Sequence, residues 1–153
     1  MSQVLVPLVL LLNGLAAGVL VGTQLGGFPL LERLPPGRYV EAHAFFSTRY
    51  DPFMPVCLAG TVLGGVVLAL IAPTAASTTL FLVAAASAAG TVAISVVKNV
   101  PVNRWVRALD PEALPDDFAQ RDPRRHWGSW NRARTGLVVL AMLVNCVAAG
   151  LLL

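Results

Sequence analysis

The stretch KNVPVNRW, residues 98–105, sets two asparagines around a proline in a chain that is apolar almost everywhere else. Asn99 and Asn103 are four residues apart, so both amides share one face if a helix continues through Pro101. The proline lacks an N–H group and leaves the carbonyl near Val97 without its usual donor. We expect one amide either to satisfy that carbonyl or to contact a ligand, and the sequence favours neither.

A second stretch, HWGSWNRART, carries two indoles, an amide and a guanidinium along one helical stripe. The four residues, at i, i+3, i+4 and i+7, are Trp127, Trp130, Asn131 and Arg134. Aromatic walls with hydrogen-bond donors suit a flat, oxygenated ligand. For Arg134 taken alone we expect an extended side chain that reaches the lipid phosphates. The stripe as a unit indicates a functional site.

A third group lies in RYVEAHAFFSTRYDPFMP, where the pattern predicts an amphipathic helical segment. Tyr39, His43, Ser47 and Tyr50 fall close to one of its faces. His43 titrates near neutral pH and is therefore the best general base in the chain, with Tyr50 as the second candidate. A lone histidine beside a kinked helix is more often a hydrogen-bonded structural residue, and that alternative stays open.

Metal-ligand spacing is weak in this sequence. His43 and Glu41 are two residues apart and point to different faces of a helix, and His126 is far along the chain. We find no phosphate-binding loop, serine-hydrolase elbow or haem-attachment motif. We therefore predict no cofactor, with a metal ion or a haem as the alternative.

The elements that position these residues follow from composition. Hydrophobic residues make up 56% of the chain and charged residues only 12%, against about a quarter charged in soluble domains. Four apolar segments of roughly 20 residues can each cross a bilayer core as helices. We predict an all-α, four-transmembrane-helix bundle in a single domain, with an amphipathic segment leading into the second helix. The expected helices cover about residues 4–25, 40–72 with a proline kink, 77–106 and 128–153.

All eleven Lys and Arg residues lie in or beside the first and third connections. The positive-inside rule predicts that these connections are cytoplasmic and that both termini face outward, in a multi-pass cell-membrane protein. The histidines, tryptophans and tyrosines lie on the same half, although aromatic belts also form at lipid headgroups without any other role. We therefore expect a site at the cytoplasmic mouth. The expected partners are the bilayer and a small lipophilic substrate, with no nucleic acid.

Glycines recur every four residues in the first apolar segment, at Gly14, Gly18, Gly22 and Gly26. Such a stripe predicts that a neighbouring helix of the bundle approaches closely. Gly60 and Gly64 repeat the pattern in the second segment. A homo-oligomer that forms through the first stripe is the alternative.

Taken together, NVPVNRW, WGSWNRART and YVEAHAFFSTRYDPFMP resemble the anthrone oxygenase-like family of small four-helix membrane proteins. Its members carry an N-x-P-x-N segment that ends the third helix and a W-x-x-W-N-x-x-R-like segment that opens the fourth. Those positions are here Asn99, Pro101, Asn103, Trp127, Trp130, Asn131 and Arg134. The resemblance implies the four-helix fold and the oxidation of anthrones to anthraquinones with molecular oxygen.

Our leading hypothesis is an integral membrane oxygenase that removes a proton from an anthrone- or quinol-like substrate and oxygenates the enolate. The catalytic candidates are His43, Tyr50, Asn131 and Arg134, and the substrate-binding candidates are Asn99, Asn103, Trp127, Trp130, Tyr39 and Ser47. The alternatives are a metal- or haem-dependent membrane oxidoreductase and a non-enzymatic binding or accessory protein for a lipophilic ligand. A transporter ranks behind these, because no charged residue lies in the middle of a predicted span.

Overall fold

A computed structural model of the chain describes residues 1–152, and these residues form helices and connecting turns. Four helical stretches are long and apolar enough to cross a membrane: Ser2–Arg33, Phe53–Ile71, Ala75–Arg107 and Phe118–Gly150. This confirms the predicted all-α, four-helix membrane bundle. The predicted end of the fourth helix at residue 153 lies outside the described residues.

The helices follow the apolar segments, and the first helical stretch, Ser2–Arg33, is longer than the expected residues 4–25. In chain order they are α1 (Ser2–Gly22), a π-helical turn (Thr23–Gly27), α2 (Phe28–Arg33), α3 (Pro36–Arg49), α4 (Phe53–Ile71), α5 (Ala75–Ile94), a second π-helical turn (Ser95–Asn99), α6 (Val100–Arg107), α7 (Phe118–Arg121) and α8 (Arg124–Gly150). Helices α1 and α5 each pack against both α4 and α8, so the four long helices form a closed ring.

The expected single kinked helix over residues 40–72 is two helices, α3 and α4, separated by a turn at residues 50–52. Pro52 cannot donate a backbone hydrogen bond and disfavours a helical conformation at Asp51, so the chain turns instead of bending. Helix α3 packs against α6 at the end of the bundle. The basic first and third connections thus meet at one end, and their assignment to the cytoplasm stays a prediction.

Each π-helical turn ends two residues before a proline: Thr23–Gly27 precedes Pro29, and Ser95–Asn99 precedes Pro101. In the second turn the N–H of Val100 donates to the carbonyl five residues earlier, so the backbone widens where the proline removes a donor. No asparagine side chain within residues 1–152 donates to the carbonyl that Pro101 leaves without a partner. The expectation that an amide satisfies this carbonyl is therefore wrong.

The two glycine stripes have opposite surroundings. In α4, a Cβ on Gly60 would lie 2.5 Å from Leu12, and Gly64 packs just as tightly on Val9, so α1 does approach α4 closely there. In the first stripe, a Cβ on Gly18, Gly22 or Gly26 would meet no atom within 4 Å. The prediction of tight packing is wrong for these three glycines, which border a cavity instead.

Candidate functional site

A cavity of about 1100 Å³ lies at the end of the bundle that carries the basic connections, and every helix except α7, together with both π-helical turns, contributes to its wall. Its walls are mostly apolar and include Gly22, Met54, Leu58 and Val92. The polar groups that line it are Thr23, His43, Ser47, Tyr50, Asp51, Ser95, Asn103, Trp127 and Arg134. An apolar chamber with a few convergent polar groups is typical of a small-molecule site.

The cavity also reaches the flank of the bundle. Three of the residues that line it, Leu30, Leu63 and Val96, have 49%, 67% and 60% of their surface exposed. They belong to helices that are apolar enough to cross a membrane. A lipophilic ligand therefore has a side entrance from the surface that a bilayer would cover.

His43 is buried against the cavity wall, with only 2% of its surface exposed. Its Nε2 lies 2.9 Å from Oδ1 of Asn103, and the indole Nε1 of Trp127 donates to the same oxygen at 2.8 Å. An indole nitrogen can only donate, so this Asn103 atom is an acceptor and His43 must carry its proton on Nε2. The basic lone pair is then on Nδ1, which is buried and has no hydrogen-bond partner within residues 1–152.

Burial lowers the pKa of His43 below its ordinary value of 6.5, and the hydrogen bond to Asn103 acts in the opposite direction without cancelling the effect. The imidazole is therefore neutral at pH 7. A neutral imidazole with one free, buried nitrogen has the form of a general base that needs no further activation.

Arg134 turns into the bundle. Its Nε and Nη2 donate to Oδ1 of Asn131 at 3.1 and 2.9 Å, and its Nη1 donates to Oγ of Ser95 at 3.1 Å. The guanidinium carbon lies 5.7 Å from the centre of the Trp127 ring. The expectation that Arg134 extends to lipid phosphates is wrong, because interior acceptors and an indole lie within its reach.

Asn131 holds Arg134 and does not itself line the cavity. It is fully buried, and its Nδ2 donates to Oε1 of Gln24 at 2.9 Å. Each π-helical turn thus supplies one residue to this network, Gln24 from the first and Ser95 from the second. Sequence reasoning missed both, although each is a polar side chain five or six residues before a proline within an apolar helix.

Asn99 holds the helices together without reaching the cavity. Its side chain is fully buried, and Nδ2 donates to the carbonyl of Trp127 at 3.2 Å, so it ties the second π-helical turn to α8. Its neighbour in the motif, Asn103, does line the cavity. The two asparagines of the N-x-P-x-N segment therefore have different surroundings, and ligand contact is open only to Asn103.

The two indoles of the α8 stripe have different surroundings. Trp127 lines the cavity, where its ring centre lies 5.2 Å from that of His43. Trp130 is half-buried outside it, with Nζ of Lys98 at 5.1 Å and the His126 ring at 6.3 Å. Of the two indoles, only Trp127 is placed to line a ligand, and its role in substrate binding stays a prediction.

The remaining candidates lie on α3 and at its end. Ser47 and Tyr50 line the cavity, and Tyr50 is 39% exposed at its mouth. Tyr39 is outside the cavity, with its ring centre 5.3 Å from that of His43 and the guanidinium of Arg124 4.9 Å above it. Burial raises the pKa of Tyr39 above its ordinary value of 10, so the side chain remains a neutral phenol at pH 7. Tyr39 therefore packs beneath His43 and does not contact a ligand.

A sequence model of the family described as anthrone oxygenase matches residues 43–144, which is more than half of the chain. The chain belongs to the anthrone oxygenase family. The resemblance seen in the motifs is confirmed, and with four membrane-crossing helices the protein is a membrane protein of oxygenase-like type. Searches of curated proteins and of solved structures gave no match.

The segment matched to the anthrone oxygenase family begins at His43 and contains Asn103, Trp127 and Arg134. Gly18, Gly22 and Gly26 precede it and line the cavity, and Gln24 precedes it and accepts the hydrogen bond from Asn131. Within residues 1–152, no three His, Cys, Asp or Glu side chains lie close enough together to hold a metal ion. The expectation that no cofactor is needed stays a prediction.

Proposed function

We propose that this member of the anthrone oxygenase family is a membrane-embedded oxygenase that oxidises a flat, lipophilic, anthrone- or quinol-like aromatic with molecular oxygen. One observation carries the proposal: His43, whose Nδ1 has no hydrogen-bond partner within residues 1–152, and Arg134 line the same apolar cavity, and both contact the ring of Trp127. These are the groups that proton abstraction next to a carbonyl needs.

The shape of the cavity supports a tricyclic substrate. Its volume of about 1100 Å³ slightly exceeds the usual range for small-molecule sites, so a tricycle has room within it. An anthrone is a flat, apolar tricycle that partitions into a bilayer and would enter through the exposed flank near Leu63 and Val96. The unobstructed glycine wall at Gly18, Gly22 and Gly26 leaves room for a planar ring.

The first step is the transfer of a proton from C10 of the anthrone to Nδ1 of His43. The electron pair left at C10 delocalises onto the C9 oxygen and produces an aromatic enolate. The amide N–H groups of Asn103 have no acceptor within residues 1–152, and together with Arg134 they are the donors for this oxygen. Donors that are already oriented stabilise the developing charge without reorganisation.

The second step joins the enolate to oxygen. An electron-rich enolate passes one electron to O2, and the resulting radical pair combines to form a C10–O bond. The peroxide oxygen takes its proton from the His43 imidazolium, and loss of water then gives the second carbonyl. One O2 is consumed and one water released per anthraquinone, so no external reductant is required.

Oxygen uptake by the purified protein tests the proposal. In phosphatidylcholine nanodiscs with 1,8-dihydroxyanthrone as the probe, we expect uptake above that of empty discs and one O2 per quinone formed. His43→Ala should lower the rate by about 10²- to 10⁴-fold, the usual contribution of a general base. His126→Ala is the matched control, because His126 is exposed and packs on Trp130 outside the cavity.

Equal rates for the parent protein and His43→Ala would overturn the assignment of the base, and Tyr50→Phe would then test the second candidate. A chelator-sensitive rate, with bound metal or a haem spectrum in the purified protein, would instead establish the metal- or haem-dependent oxidoreductase. Tight binding of the anthrone with no oxygen uptake would establish the binding or accessory protein.

A further inference from the structure

The charge of Arg134 has no counter-charge inside the bundle. The ion pairs within residues 1–152 are Arg38–Glu41, Arg121–Asp117 and Arg124–Asp122, all in or beside the connections. The partners of Arg134 are neutral, namely the amide oxygen of Asn131 and the hydroxyl of Ser95. A guanidinium held among apolar helices is costly unless an anion accompanies it.

Part of the donor capacity of Arg134 is also unused. A guanidinium has five N–H groups. Within the described chain, the Nε group and one group on each terminal nitrogen have acceptors. One N–H on Nη1 and one on Nη2 therefore remain, and the residue lines the cavity.

The cavity wall contains one carboxylate candidate for this charge, Asp51. It is an exposed residue in the turn between α3 and α4, and it forms no ion pair with Arg134. Within residues 1–152 no carboxylate pairs with Arg134, so the free N–H groups of this cavity-lining residue are available to a ligand.

We propose that the cavity takes its ligand as an anion: a flat aromatic acid whose carboxylate or ionised phenol oxygen pairs with Arg134. Charged oxygens make the strongest hydrogen bonds to guanidinium groups, especially where water is excluded. The inference rests on the proposed function only in using the same cavity. One free N–H of Arg134 pairs with the anionic oxygen, and the other remains, with the amide of Asn103, for the enolate oxygen formed during turnover.

Three probes of matched shape test the sign of the charge: anthracene-9-carboxylate, anthracene-9-carboxamide and 9-(aminomethyl)anthracene. Their dissociation constants are measured by fluorescence at pH 7.5 in nanodiscs of phosphatidylcholine, with binding to empty discs subtracted. We expect the carboxylate to bind about 10- to 100-fold more tightly than the carboxamide, the range for a hydrogen bond to a charged group. The ammonium probe should bind most weakly.

The variants assign this preference to one residue. Arg134→Gln should reduce the ratio of the carboxylate and carboxamide constants to about one, and Arg134→Lys should retain part of it because the charge stays. Arg132→Gln is the matched control, since Arg132 is an exposed arginine on the same helix and does not line the cavity. Its ratio should equal that of the parent.

Equal binding of the carboxylate and the carboxamide by the parent protein would overturn the proposal, and this comparison needs no variant to fold. A preference that persists in Arg134→Gln would overturn it as well. Loss of the preference in discs that contain phosphatidylglycerol would identify a lipid headgroup as the anion and contradict a substrate acid. Because binding is measured without turnover, the anion preference and the oxygenase activity can fail independently.

Discussion

Two buried polar clusters lie within this apolar bundle, and each leaves one buried side-chain atom unpaired in the described part of the chain, but only one of them has residues that line the cavity. In the first, Nδ2 of Asn13 donates to the carbonyl of Val138 at 3.2 Å, and Nδ2 of Asn145 donates to Oδ1 of Asn13 at 3.0 Å. Both asparagines are neutral and buried, and neither lines the cavity. This pair ties α1 to α8, and Oδ1 of Asn145 is buried without a hydrogen-bond partner within residues 1–152.

The second cluster lies around His43, Asn103 and Arg134, and the Asn131–Gln24 hydrogen bond links it to the first π-helical turn. It retains a free imidazole nitrogen and carries a charge, and all three residues border the cavity. Polarity inside a membrane bundle therefore does not by itself indicate a functional site. Unused hydrogen-bonding capacity beside a cavity does.

Of the changes considered, a side chain that fills the cavity should lower oxygen uptake the most. Gly22→Leu places a side chain where no atom lies within 4 Å of the new Cβ, so it should displace the ligand without disturbing the packing. We expect oxygen uptake with 1,8-dihydroxyanthrone to fall about a hundredfold, as for a substrate that is misplaced by an ångström or more.

Gly136→Leu is the control for this change. Its Cβ also meets no atom within 4 Å, but the residue is exposed on α8 and does not line the cavity. Both variants replace glycine within a helix and should unfold at or above the parental temperature. An unchanged rate for Gly22→Leu would mean that the substrate does not use this cavity.

Removing one asparagine from each cluster should separate function from stability. Asn131→Ala takes from Arg134 the oxygen that receives two of its hydrogen bonds, and we expect oxygen uptake to fall about tenfold, as one charge-assisted bond would predict. Asn145→Ala should leave the rate unchanged and lower the free energy of unfolding by about 1 kcal/mol. A lower rate in Asn145→Ala, measured at equal folded fraction, would contradict the division between the clusters.

The smallest expected effect is a shift in pH dependence. Because burial lowers the pKa of His43, the parental rate should fall with a midpoint below pH 6.5. Asn103→Asp sets a carboxylate beside Nε2, which favours the imidazolium, and should move the midpoint of the kcat/KM profile upward by about one unit or more. An unmoved midpoint would show that His43 is not the titrating base.

The same pKa shift has a consequence for folding. In the unfolded chain His43 binds a proton near pH 6.5, whereas the folded protein resists it until lower pH. The free energy of unfolding should therefore decrease as the pH falls from 6.5 towards the lowered pKa. In Asn103→Asp this decrease should be reduced, which a series of thermal unfolding curves between pH 7 and 5 would detect.

Most of the fold could be predicted from the sequence, because length and apolarity decide locally whether a segment can cross a bilayer. The motif spacing likewise indicated where the polar residues lie along the helices, and the family followed from those motifs. The prediction from sequence failed where the surroundings of a residue depended on which side chain of another helix lies opposite it. The two glycine stripes have the same spacing, yet Gly60 meets Leu12 and Gly22 meets open space.

The sequence by itself thus determined that four apolar helices bring their polar ends to one side of the bundle. Only the tertiary structure decided which side chains meet, because that depends on how each helix is rotated about its axis. Two π-helical turns ahead of prolines set part of that rotation and bring Gln24 and Ser95 to the Asn131–Arg134 pair. The backbone of Gly128, which packs on the ring of Phe28 with no room for a Cβ, fixes α8 beside α2. Trp127 therefore faces the cavity, and Trp130, three residues later, does not.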